Sequence, residues 1–247
     1  MTRPRPPRLD RRALLTRLGG ASRGEEGHWV RVPRPAMACR FEVTLPSEDA
    51  GHVPLARAAL DVIGAIVAAL TVFHDSSELV RVNRDAASGP VAVSPELMAL
   101  LRRCQDLHAA TGGAFDPTST PLSREWGFLQ RQGRQPSPEA VESARCRVGM
   151  DRVVLDPERG TVSFAALGME LNMGSVGKGW ALDRVAAGLR KTGVERALVS
   201  AGGSSFLGWG RGEWPLALAP GRTKLADLWI QNASLGISGA GEQGFEA

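Results

Sequence analysis

The stretch ELNMGSVGKGWALDRVAAGLRKTGVERALVSAGGSSFLGWG, Glu170 to Gly210, decides how the chain is read. Gly174, Gly177 and Gly179 flank Ser175 and Lys178 in a glycine-rich turn. Glycine tolerates positive φ and lets a ligand approach bare backbone. Trp180, Ala181, Val185 and Leu189 then recur at three- to four-residue spacing, the apolar stripe of a helix. Arg190 and Lys191 suit its last turn and Gly193 its end. Ala197 to Ala201 reads as a short buried strand, broken by Gly202-Gly203-Ser204-Ser205. A lysine-bearing turn thus opens a helix whose first N–H groups favour an anion. A plain glycine turn between a strand and a surface helix accounts for the same pattern.

Two phosphate motifs are excluded. A P-loop needs glycine where Asn172 stands and Ser or Thr where Gly179 stands. The dinucleotide fingerprint needs a third glycine where Leu182 stands.

Working outward, the 247 residues suffice for a sizeable core in one large or two small domains. No run of 18 or more apolar residues occurs, so no membrane span is expected. Residues 1–35 hold nine arginines against Asp10, Glu25 and Glu26, a net of +6 within a chain of +4. The remainder is therefore about −2, and no nucleic-acid groove is indicated. Residues 1–35 read as a flexible basic tail and 36–247 as the folded body. Asp10-Arg11-Arg12-Ala13-Leu14-Leu15 faintly resembles the start of a twin-arginine signal, but no apolar stretch follows. No intact signal peptide is seen, and cytoplasm and cell envelope both stay open.

Met37 to Leu45 alternates as a strand. Residues 55–72 carry a helical stripe of Leu60, Ile63, Val67 and Leu70. Asp75, Ser76 or Ser77 can cap a short helical turn to Asn83. Ser94-Pro95-Glu96 opens a helix with Leu97, Leu100, Leu101, Cys104 and His108 inside, stopped by Gly112. In Gly112-Gly113-Ala114-Phe115-Asp116-Pro117-Thr118 the residue before proline is held extended, so Asp116 stands on a stiff loop. A helix end plus a turn is the alternative. Ser137-Pro138-Glu139 caps another short helix. Val153 to Phe164 reads as a hairpin turning at Asp156 to Gly160. A strand is expected from Leu167 into the glycine turn, and others at Trp214 to Ala219 and Leu228 to Ile230. Strands are not uniformly separated by helices, which argues for α+β rather than a doubly wound parallel sheet.

Cys39, Cys104 and Cys146 are far apart and read as core or incidental thiols. His28, His52, His74 and His108 show no metal spacing, and no nucleophile–base motif is visible.

Taken together, five stretches resemble the FAD:protein FMN transferase (ApbE) family. Ala36-Met37-Ala38-Cys39-Arg40-Phe41 is similar to its first strand. Phe73 with Ser77-Glu78-Leu79 and Asn83 resembles its Y-x-x-x-S-E-L-x-x-x-N segment. Thr111 to Thr118 resembles T-G-G-A-F-D-P-T, and Asn172 to Asp183 resembles D-L-G-x-I-A-K-G-Y-A-V-D. Gly202-Gly203 matches the family's glycine pair.

The resemblance implies an α+β, mixed-sheet, two-lobed fold with FAD in a cleft between the lobes. It implies Mg²⁺-dependent transfer of FMN from FAD to a Thr or Ser hydroxyl of an acceptor protein, releasing AMP. Met37 and Phe73 would lie against the flavin. Ala114, Phe115 and Asp116 would line the FAD pocket, with Asn172 and Lys178 as further contacts. Ser175 would offer its carbonyl to Mg²⁺, an ion that takes oxygen ligands and usually keeps substrate phosphates. An FAD hydrolase giving FMN and AMP, and a non-catalytic flavin-binding module, remain as rival readings.

The sequence departs from the family in three places. Phe73 stands where tyrosine is common, and the chain has no tyrosine. Asn172 replaces the commoner aspartate. Ala233 to Gly239 resembles the segment after which the family continues to H-I-x-D-P-x-T-G and D-A-x-x-T stretches, neither of which occurs here. The resemblance assigns those stretches the catalytic base and the remaining Mg²⁺ ligands. The expectation is therefore a C-terminally incomplete domain with an unassigned catalytic base, weak FAD binding, no tight Mg²⁺ site and negligible transfer.

Overall fold

The structure, a computed structural model, describes residues 28–130, 132–218 and 225–238. The arginines of residues 1–27 and the twin-arginine-like stretch lie outside the described residues.

Ten strands and six α-helices form the described fold. Strands β1 (Trp29–Ala36), β2 (Cys39–Pro46), β6 (Ala197–Ala201), β7 (Ser205–Trp209) and β10 (Ala233–Gly236) make one sheet in the order β1-β2-β6-β7-β10. Strands β3 (Val91–Ala92), β4 (Val153–Asp156) and β5 (Thr161–Phe164) make a second, ordered β3-β5-β4. Strands β8 (Trp214–Leu218) and β9 (Ala226–Ile230) pair separately. Every pairing is antiparallel, where a mixed sheet was expected. The α+β class is as expected.

One layer of the fold packs α1 (Val53–Leu70) and α6 (Gly177–Lys191) on the five-stranded sheet. Alternation along β2 explains this: Phe41, Val43 and Leu45 are buried beneath Leu60, Ile63, Val185 and Leu189. Leu198 faces the other side of the sheet, against Trp214 and Ile230. With the short 3₁₀ helix before it, α1 is long and apolar enough to cross a membrane. Its Ala56, Leu60, Ile63 and Ile66 are buried in this core, and Arg57 and Asp61 lie on its exposed side.

The second layer packs α2 (Glu78–Asp85) and α3 (Pro95–Ala110) on the three-stranded sheet. Leu79, Val82, Leu97, Leu100, Leu101, Cys104, Val162 and Phe164 fill this core. Ser77 and Ser94 cap the two helices, accepting from Val80 N at 3.0 Å and Leu97 N at 3.2 Å. Short helices α4 (Thr120–Glu125) and α5 (Pro138–Arg145) lie beyond, with Ser137 capping α5. The hairpin Val153 to Phe164 turns at Gly160, which sits at φ +64°.

Two expectations are corrected. The body begins before residue 36, because Trp29–Ala36 is strand β1, paired to β2 along its whole length. Val32 is buried while Arg31, Pro33 and Pro35 on the opposite face are exposed, the alternation of an edge strand. The segment from Leu167 to the glycine turn is not a strand. Met169, Leu171 and Met173 are buried alternately, but this backbone finds partners outside any sheet. Leu171 N donates to Asn83 Oδ1 at 2.8 Å, Asn83 Nδ2 donates to Leu171 O at 2.9 Å, and Asn172 N donates to Pro117 O at 2.9 Å.

Candidate functional site

The chain passes from one layer to the other at residues 71–77 and again at 165–176. A cavity of about 470 Å³ opens where these crossings meet the β1–β2 hairpin and the start of α6. That volume is within the range of small-molecule sites. Met37 and Ala38 form the hairpin tip, Val67 to His74 one wall, and Asn172 to Gly174, Gly177 and Lys178 the other.

Each wall is set by local chemistry. Met37 and Ala38 occupy the two central positions of a two-residue hairpin turn, at φ 50° and 53°. Such turns need positive φ at both positions, which non-glycine residues adopt only at a cost. Ser77, 2% exposed, donates to Thr71 O at 2.6 Å and so fixes the end of the Thr71–His74 wall. Phe73 is 80% exposed, an aromatic ring free to meet a ligand face. Asn172 Oδ1 accepts from Gly174 N at 2.7 Å, a side-chain-closed turn. Lys178 Nζ donates to Ser204 Oγ at 2.7 Å and ties α6 to the turn after β6. In that turn Gly202 sits at φ +60°, and a Cβ there would lie 2.8 Å from Cys39 Cβ. Burial pushes the Cys39 thiol up, and the Lys178 charge partly opposes the shift.

Of the residues singled out from sequence, Met37, Phe73, Asn172 and Lys178 come together in this cavity. Ala114, Phe115 and Asp116 are not among its lining residues. Their loop touches it indirectly, through the bond from Asn172 N to Pro117 O. The Asp116 carboxylate is engaged inward. Its Oδ1 accepts from Thr118 N at 2.8 Å and Thr118 Oγ1 at 2.6 Å, and its Oδ2 from Met150 N at 3.2 Å. His108 Nδ1 lies 3.5 Å from the same carboxylate and 2.9 Å from Phe115 O. Ser175 is an exposed turn residue beside the cavity.

Sequence reasoning missed Val67, Leu70, Val72, His74 and Met173 as wall residues, and Ser204 as the partner of Lys178. The helical stripe had marked Val67 and Leu70 as core, and nothing local marks a helix end as a cleft wall. His74, which shows no metal spacing in the sequence, is exposed at the rim.

Mg²⁺ demands near-octahedral oxygen coordination, usually with a carboxylate. Among the described residues no three His, Cys, Asp or Glu side chains converge. The described residues do not by themselves make the Mg²⁺ site that the resemblance implies.

A family model described as the ApbE family matches residues 37–247. The chain is 29% identical over 197 residues to the FAD:protein FMN transferase of Treponema pallidum, covering 72% of this chain and 54% of that protein. It is 31% identical over 186 residues to that of Klebsiella pneumoniae, covering 72% and 56%. Against the Haemophilus influenzae enzyme the figures are 30% over 141 residues, 55% and 41%. The chain thus spans about half the length of the curated relatives it matches. Among solved structures, the ApbE protein of Thermotoga maritima superposes with a TM-score of 0.74 at 22% identity, covering 84% of this chain and 69% of that one. The flavin transferase ApbE of Vibrio cholerae gives 0.72 at 22%, covering 84% and 70%. These likenesses extend the match from motifs to fold, and with a family match running from Met37 to the last residue the chain belongs to the ApbE family.

Proposed function

We propose that this chain binds FAD in the cleft between its two layers and serves FMN transfer to an acceptor protein. The observation that carries the reading is the cleft's lining. Among the described residues, it joins an apolar wall of Met37, Val67, Leu70 and Phe73 to one fixed positive charge, Lys178, and holds no carboxylate. That combination suits a flat aromatic ring carrying an anionic pyrophosphate. The exposed Phe73 ring is free to stack on the isoalloxazine. Lys178 and the N–H groups opening α6 face phosphate oxygens.

In the reaction proposed, an acceptor Thr or Ser oxygen attacks the FMN phosphorus. The bond from that phosphorus to the bridging oxygen breaks, and AMP leaves with the bridging oxygen. The hydroxyl proton goes to a base that the described residues do not identify. Such displacement asks the protein for positioning and charge neutralisation more than for covalent help. The family's Mg²⁺ would find one ligand in the Ser175 carbonyl, and the reading assigns the ion no step.

The rival reading is flavin binding without turnover. A flavin-fluorescence titration tests binding. The wild-type chain should bind FAD, and Lys178→Ala should weaken it at least about tenfold, the equivalent of one hydrogen bond to a charged group. Equal affinity in the two would defeat the cleft assignment. AMP release measured with and without acceptor protein then separates transfer, hydrolysis and binding alone.

A further inference from the structure

Glu96 lies in the first turn of α3 and does not line the cleft. Its Oε1 accepts two bonds from α6: Trp180 Nε1 at 2.7 Å and Arg184 Nε at 2.8 Å. Arg184 stacks on the Trp180 ring, 4.0 Å from its centroid, as residues four apart on a helix can. Trp180 packs against both hydrophobic cores. Two residues before it on the same turn, Lys178 is tied to Ser204 of the sheet layer. The first turns of α6 are therefore held from both layers at once.

The tie on the Glu96 side runs back to the opposite cleft wall. Ser94, the cap of α3, donates from both its N and Oγ to Glu78, the Oγ at 2.8 Å. Glu78 opens α2, whose cap Ser77 donates to Thr71 O in the cleft. An unbroken series of polar contacts and short helical turns thus leads from Thr71 through Ser77, Glu78, Ser94 and Glu96 to Trp180 and Lys178.

We infer that Glu96 is a positioning residue for the cleft: its carboxylate latches α6 to α3 and fixes where Lys178 stands relative to the Thr71–His74 wall. Without the latch, the layers near the cleft keep the two chain crossings and the apolar packing of Leu70 and Trp180 but lose this polar tie, and Lys178 keeps its Ser204 bond while the facing wall is less firmly placed. The ligand consequence rests on the flavin reading; the geometric consequence does not.

The test compares Glu96→Ala, Glu96→Gln and Trp180→Phe with wild type by amide hydrogen exchange and by FAD titration. Glu96→Ala should speed exchange across residues 171–180 and 71–77 about tenfold, with the interior of α3 unchanged. It should weaken FAD about tenfold, as expected for losing hydrogen bonds to a charged acceptor. Glu96→Gln keeps an oxygen acceptor and should restore most of both. Trp180→Phe keeps an aromatic ring and loses one of the two donors to Glu96, so it should shift both readouts in the same direction as Glu96→Ala but by less, without adding to it in the double variant. Exchange rising uniformly over the protein, or unchanged at 171–180, would overturn the latch. Faster local exchange with unaltered FAD affinity would overturn its positioning role. Should wild type bind no FAD, the flavin reading fails by itself, and the exchange comparison still decides the latch.

Discussion

The Asn83 carboxamide and the Leu171 backbone bond each other at two points, Nδ2 to O at 2.9 Å and N to Oδ1 at 2.8 Å. A side chain here does what a neighbouring strand does elsewhere. It holds Leu171 and the turn that follows it at the cleft edge, where Asn172, Met173 and Gly174 line the cavity. Leu171 is fully buried, and its N–H and C=O have no water to turn to. Asn83→Ala should therefore cost about 2–4 kcal/mol, two unmade bonds to buried groups. Thermal melts should fall by roughly 5–10 °C for a chain of this size. Asn83→Asp keeps the acceptor and loses the donor, and should fall between. A melt unchanged in Asn83→Ala would show that the segment holds its place by packing alone.

This pairing also explains what sequence could and could not show. Caps are local, so Ser77, Ser94 and Ser137 were legible, as was the hairpin turning at Gly160. The alternation Met169, Leu171, Met173 was real, yet alternation reports which faces are buried and not what the backbone bonds to. Pro33 and Pro35 made β1 look like tail, because an edge strand tolerates proline where a central one does not. In the cleft, the glycine-rich turn itself marked Lys178, whereas Met37, Phe73 and Asn172 were identified only through family likeness. The wall Val67 to Val72 is ordinary helix-end sequence, and only the meeting of two layers makes it a cleft.

Asp116 is expected to matter more for stability than for ligand affinity. Its carboxylate joins the loop after α3 to Thr118 and to Met150 N. Asp116→Ala leaves these donors unmatched and should lower stability by about 2–3 kcal/mol. FAD affinity should then change less than in Lys178→Ala. Paired melts and titrations check this. A variant with an unaltered melt and lost FAD binding would place the carboxylate on the ligand instead.

The three thiols should separate by environment. Cys146 is exposed and should label first. Cys104 is fully buried, and burial pushes its thiol up to about 12 from an ordinary value near 9. The folded state holds the proton more tightly than the unfolded chain. The resulting stability is complete below pH 9 and is lost as pH rises from 9 through 12. The loss should approach about 1.4 kcal/mol per pH unit within that window. Cys104→Ser should flatten the dependence, and denaturant melts at pH 8 and 10 measure it. At Cys39 the Lys178 charge opposes the upward push of burial. Lys178→Ala should therefore move the midpoint of Cys39 alkylation to higher pH, and an unmoved midpoint would mean the ammonium does not reach the thiol.

The hairpin tip carries the last expectation. Met37 and Ala38 both sit in the left-handed region, and each carries about 1–2 kcal/mol of strain that glycine would escape. Strain of this kind persists only where surrounding structure holds it, here the full-length β1–β2 pairing on one side and the cleft on the other. Ala38→Gly relieves the turn but frees the unfolded chain, which offsets roughly 0.4–1 kcal/mol of the gain. Its melt should match wild type or exceed it by no more than about 3 °C. Met37 is untouched in that variant, so FAD affinity should persist. Ala38→Val separates the readings by sign. In an ordinary extended strand a β-branched residue is favoured, whereas in a left-handed turn it is a steric outlier. The valine variant should melt several degrees below the glycine variant and bind FAD more weakly, because the turn that presents Met37 must open to accept it. A valine variant melting at or above the glycine variant would show that the tip is extended and that Met37 is presented some other way.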